Sequence, residues 1–263
     1  MHSVCLREAQ PQDFAQIAEI GIAAMIEDPL LAYFECRASP INPKENPEHT
    51  RALSSYIQFT LYSSWYAGGV IKVACAPSAH CIEPSTRTSL NQESVEERIL
   101  AAAIWMPPRK RVSNFDPFTL LRSGGVSLAQ NVGMAGLSRR WIEYPPIVEH
   151  SWKQAQWALE DGKNWSPLDT WSLTMAFTEP AYQGRGLMTT LIRDWISSVP
   201  GEGFTLQAST TRARDFFYRH FGFELLDRCK VGVGHASAKG LPETKGPGVE
   251  LFTMLKRNVE RKC

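Results

Sequence analysis

Residues 170–188 read TWSLTMAFTEPAYQGRGLM and contain the strongest local signals in the chain. Every second position from 171 to 177 carries a large apolar side chain, and small or polar residues alternate with these positions. This period of two predicts a β-strand whose bulky face packs on the core and whose small face turns elsewhere. From 187 to 199 apolar residues recur by threes and fours, which predicts an amphipathic helix. The stretch therefore predicts a strand, a turn and a helix in direct succession.

The predicted turn contains Gly184 and Gly186 with Arg185 between them. Glycine lets the backbone turn tightly without a Cβ that obstructs a ligand. A helix N-terminus presents unpaired N–H groups and about half a positive charge, so it attracts anions. A guanidinium group adds a donor suited to phosphate. The junction predicts a site for an anion the size of pyrophosphate, although a bare G-x-G fits a plain tight turn equally well.

Two other phosphate-binding motifs do not fit this chain. The sequence contains no G-x-x-x-x-G-K-[ST], which excludes a P-loop. Residues 184–189 lack the third glycine of a dinucleotide fingerprint, and they lie late in the chain rather than in a first βαβ unit. A different nucleotide-binding fold is therefore disfavoured.

The rest of the chain predicts one mixed α/β domain spanning residues 1–263. Asp28-Pro29 is interpreted as the stop of the first helix. Residues 77–98, rich in Ser, Thr and Glu, are predicted to form an exposed insertion between two hairpin strands. Further strands are predicted near 4–9, 70–76, 99–105, 204–208, 223–226 and 249–255, and helical segments near 13–27, 49–66, 114–162 and directly before Gly222.

Composition excludes several classes of protein. Hydrophobic residues make up 43% of the 263 and charged residues 21%, which is typical of a globular domain. The formal net charge of +1 gives no reason to expect binding to nucleic acid or to an anionic membrane. The first residues carry charge where a signal peptide requires an apolar run, so a cytoplasmic protein is expected. The 6 cysteines form no C-x-x-C pair and no zinc spacing, so no metal and reduced thiols are expected.

Two blocks of the sequence resemble the Gcn5-related N-acetyltransferase (GNAT) superfamily. Residues 179–187, EPAYQGRGL, resemble its acyl-CoA loop, Q/R-x-x-G-x-G/A, which follows a strand and opens a helix. Residues 217–223, FYRHFGF, resemble the family helix that ends F-Y-x-x-x-G-F. The blocks stand in the usual order and separation and place the most specific motifs within 170–227. More weakly, LREA at 6–9 with Asp13, and IWMPP at 104–108, resemble uncharacterised fungal members.

The resemblance implies a single-domain fold with a central, mostly antiparallel sheet that is splayed at the acyl-CoA site and flanked by helices. It implies acetyl-CoA as the acyl donor. Backbone groups near 176–178 would hold the pantetheine arm and the thioester, and those of 184–189 would bind the pyrophosphate. The cofactor-binding residues implied are Ala176, Phe177, Thr178, Gln183, Gly184, Arg185, Gly186, Leu187, Met188, Thr189 and Thr211.

Two positions depart from the family pattern. Met188 stands where a small Gly or Ala is usual, and its long side chain would either crowd the pyrophosphate or point into the core. The second block usually begins with an Asn or Ser that meets the CoA arm, and Thr210 or Thr211 is the nearest equivalent here. These departures leave a second function open: a CoA-binding or ligand-sensing module with impaired catalysis.

The resemblance implies an N-acyltransferase in which the primary amine of a small molecule attacks the thioester directly in a ternary complex. Tyr218 stands at the position of the family's usual general acid, which protonates the leaving thiolate. Its alternative role is a tyrosine packed beside Phe217 with its hydroxyl at the surface. The sequence leaves the acceptor and the oligomeric state open. Because an alkylammonium must lose a proton before it attacks, a base is required; the candidates are Asp28, Glu143, Glu149, His150 and Asp169.

Overall fold

The computed structural model describes residues 4–40, 47–77, 97–111, 117–159 and 165–257. Seven strands form one sheet in the order β1-β2-β3-β4-β5-β7-β6. Only β4 and β5 pair in parallel among these strands, and the other neighbours pair antiparallel. The predicted mixed α/β fold with a mostly antiparallel sheet is thereby confirmed. The strands are β1 (Cys5–Glu8), β2 (Val70–Pro77), β3 (Glu97–Met106), β4 (Trp171–Thr178), β5 (Phe204–Ala208), β6 (Glu224–Val231) and β7 (Val249–Lys256).

Helices cover both faces of the sheet. α1, α2, α3, α5 and α6 pack on one face, called the α1 face below, and α7 and α8 pack on the other, the α7 face. A π-helix at Arg139–Glu143 joins α5 to α6. Within the described residues, no helix is both long and apolar enough to cross a membrane. The helices are α1 (Phe14–Met25), α2 (Pro29–Phe34), α3 (Pro47–Tyr66), α4 (Pro117–Arg122), α5 (Gly125–Ser138), α6 (Tyr144–Ala158), α7 (Leu187–Ser198) and α8 (Thr211–Phe221).

The Asp28-Pro29 pair starts a helix. α1 ends at Met25, as predicted, but the chain then enters α2, for which Asp28 is the N-cap. Its Oδ1 accepts hydrogen bonds from the N–H groups of Leu30 at 3.0 Å and Leu31 at 2.9 Å. Proline at the first helical position has no N–H to satisfy, so the same dipeptide serves as a start signal. Three helices therefore precede β2, and the interpretation as a stop alone was wrong.

A β-bulge divides β4. Its register with β3 shifts so that Thr174 has no partner on that strand. Leu173 packs on the α7 face, whereas Met175 and Phe177 pack on the α1 face. An extra residue reverses the alternation of side chains beyond it. The predicted single bulky face of this strand was therefore wrong, because the bulge directs half of it to each side of the sheet.

β4 and β5 separate part-way along their length. They pair only over 171–173 and 204–206. Beyond that point β4 stays with β3 as far as Thr178, and β5 stays with β7 as far as Ala208. The predicted splay is confirmed, and it leaves an open backbone edge between the two strands.

The predicted insertion at 77–98 falls mostly outside the described residues. β2 extends through Pro77 and β3 begins at Glu97, so both ends of the predicted loop are strand. The register joins them as an antiparallel pair, which agrees with the predicted hairpin.

The segment between β6 and β7 packs tightly on α2. A Cβ at Gly240 (φ +76°) would lie 2.0 Å from the carbonyl oxygen of Pro29. Gly232 (φ +72°) approaches the ring of Tyr33 in the same way, at 2.6 Å. Backbone contact this close holds α2, and with it Asp28, against the end of the sheet.

Gly240→Ala is expected to lower the free energy of unfolding by about 2–5 kcal/mol, since overpacking costs about 1–3 and left-handed strain about 1–2 kcal/mol. Gly234→Ala in the same segment is the matched control. Gly234 also has a positive φ of +90°, but its Cβ would meet no atom within 4 Å. The control should lose only about 1–2 kcal/mol from strain. Denaturant unfolding compares the two, and equal losses would contradict the packing argument.

Candidate acyl-CoA site

The loop between β4 and α7 contains two glycines in the left-handed region. Gly184 has φ +76° and Gly186 has φ +78°. A Cβ on either would meet no atom within 4 Å, so the backbone conformation and not crowding requires glycine here. Both glycines are exposed, and the space beside them is open to a ligand.

The N–H groups of 184–189 are free of protein acceptors within the described part of the chain. Gly186 is the N-cap of α7 and supplies no side chain to cap it. The backbone bond that closes the first helical turn runs from the N–H of Thr190 to the carbonyl of Gly186 at 2.9 Å. Free N–H groups at the positive end of a helix dipole form an anion site. The structure therefore has the free N–H groups that such a site needs, and binding of an anion here stays a prediction.

Two arginines lie against Tyr182 in this loop. The Arg185 guanidinium lies 4.7 Å and that of Arg98 lies 5.5 Å from the ring centroid. Arg98 is paired with Glu179, whereas Arg185 is exposed and, among the described residues, donates to the carbonyl of Ala181 at 3.2 Å. Gln183 ties the loop to β4 by donating to the carbonyl of Thr178 at 3.2 Å. Arg185 is thus the cation available to a ligand at this turn.

Met188 points into the core. Its side chain is half-buried and packs with the apolar residues of the α7 face, next to the buried Leu187. Thr189 is half-buried as well. Of the two orientations left open by the sequence, this one keeps the long side chain away from the free N–H groups.

Residues 176–178 lie on the splayed part of β4. Ala176 and Thr178 are half-buried, and Phe177 is buried on the α1 face. The Phe177 ring fits against Gly21 of α1, whose Cβ would lie 3.0 Å from it. A ligand at the open edge would therefore meet backbone groups and small side chains.

The second block forms the start and end of α8. Thr210 is the N-cap, and its Oγ1 accepts from the N–H of Ala213 at 3.1 Å, which commits that hydroxyl to the helix. Thr211 is the first helical residue and is exposed. Gly222 (φ +69°) ends the helix, as predicted. Within the described residues, the side chain of Thr211 has no hydrogen-bond partner, unlike that of Thr210.

Tyr218 lies on the exposed side of α8. It is 62% exposed, whereas the adjacent Phe217 is buried. Among the described residues its hydroxyl has no hydrogen-bond partner. An exposed hydroxyl agrees both with a general acid and with the alternative of a surface tyrosine beside Phe217. Its role as general acid stays a prediction.

Asp28 is the base candidate that contacts the splayed end of the sheet. Ser209, the residue after β5, donates its Oγ–H to Oδ2 of Asp28 at 2.6 Å. Desolvation raises the pKa of the Asp28 carboxyl, and the hydrogen bonds from Ser209, Leu31 and Leu30 oppose this. A carboxylate with a raised pKa that remains partly exposed suits proton transfer.

The other base candidates have other partners. Glu143 accepts from the Tyr33 hydroxyl at 2.6 Å and lies 3.8 Å from Nε2 of His235. The remaining three lie in exposed pairs: Glu149 with Lys153 at 2.8 Å, Asp169 with Arg109 at 2.9 Å, and His150 with Gln154 at 3.4 Å.

Sequence reasoning missed two residues at the splayed end of β5. Gln207 accepts from the Tyr144 hydroxyl at 2.7 Å, and Ser209 bonds Asp28. The available signal was their position at the end of a predicted strand. Their partners lie far away in sequence, so no local pattern identified them. Within the described residues, no group of three or more His, Cys, Asp or Glu could hold a metal ion.

No protein-family model matches this sequence, and no curated protein is significantly similar to it. Solved structures match it throughout. The histone acetyltransferase HPA2 and related acetyltransferase from Corynebacterium glutamicum is 17% identical over 100% of both chains, with a TM-score of 0.51. The polyamine N-acetyltransferase of Drosophila melanogaster is 14% identical over 97% of this chain and 100% of its own, with a TM-score of 0.50. Neither is fungal, so the resemblance to fungal members stays a prediction. The structure has the fold of the Gcn5-related N-acetyltransferases.

Proposed function

We propose that this chain is an acyl-CoA-dependent N-acyltransferase that transfers acetyl from acetyl-CoA to the primary amine of a small molecule. The observation that carries the proposal is the row of free N–H groups at 184–189, directly beyond the splayed end of β4. An anion site next to an open strand edge suits CoA, which joins a pyrophosphate to an amide-containing arm. Amides can extend a strand edge by backbone hydrogen bonds.

The binding roles follow from this placement. Residues 184–189 bind the pyrophosphate, and Arg185 adds positive charge. The open edge at 176–178 bonds the pantetheine amides and polarises the thioester oxygen through a backbone N–H. Gln183 holds the loop at the end of β4. Thr211 contacts the CoA arm from the exposed start of α8.

In the reaction, Asp28 takes a proton from the substrate ammonium, because the free amine is the nucleophile. The amine nitrogen then attacks the thioester carbonyl carbon, a C–N bond forms, and the C–S bond breaks. Tyr218 protonates the leaving thiolate. Asp28 is assigned as the base because its partner Ser209 directly follows the splayed strand.

A CoA-binding module with impaired catalysis remains the second candidate. Met188 and the missing Asn at the start of α8 were the two features that supported it. Met188 packs in the core, away from the free N–H groups, and so no longer supports it. The observation that still favours it is Thr211 in place of Asn. Thiol release from acetyl-CoA with a panel of primary amines separates the candidates, because a binding module releases none. Polyamines and agmatine are the first amines to test, since the Drosophila structure is of a polyamine acetyltransferase that forms N-acetylagmatine.

Acetyl-CoA at a hundredfold excess over its Kd is expected to stabilise the fold by about 2.7 kcal/mol. It should also slow amide hydrogen exchange at 187–190, since the free N–H groups of 187–189 would bond phosphate and hold the first helical turn closed at Thr190. Gly186→Val should raise the Kd for acetyl-CoA at least about tenfold, because a β-branched side chain blocks the close approach of phosphate.

Gly201→Val is the matched control, since Gly201 also has a positive φ (+87°) and an open Cβ position but lies in the turn after α7. It should bind acetyl-CoA as wild type does. If saturating acetyl-CoA changes neither melting temperature nor exchange at 187–190, the cofactor assignment is wrong.

A further inference from the structure

A buried ion pair lies directly after α2. Nε of Arg37 donates to Oε2 of Glu35 at 2.6 Å, and the two side chains are 2% and 0% exposed. Glu35 Oε1 and Arg37 Nη2 are buried without a hydrogen-bond partner among the described residues. Replacing such a pair by apolar residues is often neutral or stabilising, so its contribution to folding does not explain its presence.

The same arginine reaches back to the start of α2. Its Nη1 donates to the carbonyl of Ile26 at 2.6 Å, in the turn that leads to Asp28. Cys36, between the two charged residues, adopts φ +54°, a conformation that non-glycine residues rarely take. Cys36 lies in the turn between Glu35, the residue that ends α2, and Arg37. Arg37 connects the turn before Asp28 to Glu35 at the other end of α2.

Charged and polar groups from three parts of the chain act on Asp28: the end of α2, the start of α6 and the end of β5. Arg37 favours its ionised form, and Glu35 and Asp28 repel each other when both are ionised. Tyr144 of α6 is within electrostatic range as a neutral phenol, and Ser209 donates a hydrogen bond from the end of β5. Burial raises the pKa of Glu35 to about 7, so its charge changes near neutral pH.

We propose that the Arg37–Glu35 pair is a positioning device for acetyl transfer, which holds the turn that carries Asp28 against Ser209 and balances the charge beside that carboxylate. Both residues are positioning residues, since neither side chain is exposed to a substrate. The proposal rests on the proposed function, in which Asp28 is the base.

The test measures the Asp28 carboxyl directly. In protein labelled with ¹³C at aspartate carboxyls, Asp28→Asn assigns the Asp28 signal, and its titration is followed in wild type and variants. Burial and the already ionised Asp28 raise the pKa of Glu35 to about 7, so Glu35 is protonated while Asp28 titrates, and Glu35→Gln should leave the Asp28 pKa unchanged. Arg37→Gln removes the positive charge that favours ionised Asp28, so the Asp28 pKa should rise by about one unit.

Arg37→Gln leaves Glu35 buried without a partner and therefore endangers folding. The double variant Glu35→Leu/Arg37→Met removes both charges and the tether to Ile26, and it should keep a cooperative melt. Its Asp28 pKa should rise about as far as in Arg37→Gln, since Arg37 is the charge that acts on Asp28 while it titrates. Turnover should fall at least about tenfold as Asp28 loses its position.

These measurements distinguish a failure of this inference from a failure of the proposed function. An Asp28 titration that stays within about 0.3 units (about 0.4 kcal/mol) of wild type in the double variant overturns the inference whether or not the enzyme is active. So does a double variant with turnover within about twofold of an active wild type. Wild-type protein that acetylates no amine, yet shows the predicted titration shifts, contradicts the proposed function and leaves the charge coupling in place.

Discussion

Asp28→Asn is expected to lower turnover by about 10²- to 10⁴-fold, the usual contribution of a general base. Asparagine has the same shape, and its side-chain oxygen can still accept from the N–H groups of Leu30 and Leu31, so α2 should keep its N-cap. The proton acceptor is lost while the helix start remains. Stability should therefore change little, and the effect should appear in turnover.

The pH dependence of turnover tests the same role of Asp28. Because the pKa of Asp28 is raised, the wild-type rate should increase with pH as this carboxyl ionises and then level off. Asp28→Asn should remove that rise. Glu149→Gln is the matched control, since Glu149 is another candidate carboxylate but sits in an exposed pair with Lys153. Turnover within about threefold of wild type in Asp28→Asn would rule out this residue as the base.

Tyr218→Phe is expected to lower turnover by a similar factor, about 10²- to 10⁴-fold, because the leaving thiolate loses its proton donor. The affinity for acetyl-CoA should change little, since one neutral hydrogen bond is worth about 0.5–1.5 kcal/mol. The side chain is 62% exposed, so the fold should not be affected by loss of the hydroxyl. The measurement is turnover and acetyl-CoA affinity for both proteins with any accepted amine.

A tyrosine far from the site provides the comparison. Tyr66, at the end of α3, is 39% exposed, and Tyr66→Phe should leave turnover unchanged. If Tyr218→Phe also keeps turnover within about threefold, Tyr218 has no part in the reaction. The proton would then reach the thiolate through water or a backbone-bound donor.

Several features of this protein could be predicted from short stretches of sequence. The junction of β4 and α7 was predicted because strand period, glycine freedom and helix period each act within a few residues. β5 has the predicted bounds, and Gly222 ends α8 as expected. These local signals were sufficient to locate the candidate anion site.

Two other features could not be predicted from short stretches of sequence. Asp28-Pro29 is compatible with the end of one helix and with the start of the next, and both occur within a few residues here. The bulge at Thr174 leaves no mark on an alternating pattern, because it depends on the register with β3. The sequence therefore predicted the strands and helices but not which side chains pack on each face of the sheet.

Only the tertiary structure distinguishes Asp28, the base that we propose, from the other four candidates. Its partner Ser209 lies 181 residues further along the chain, and the two meet because α2 packs against the end of the sheet. No local sequence pattern ranks one of the five polar candidates above the others. Their burial and their hydrogen-bond partners differ only once the chain has folded. Arg37 likewise donates to the carbonyl of Ile26, 11 residues earlier in the chain. Local backbone preferences extend over a few residues, whereas packing between distant segments determines which polar groups come together.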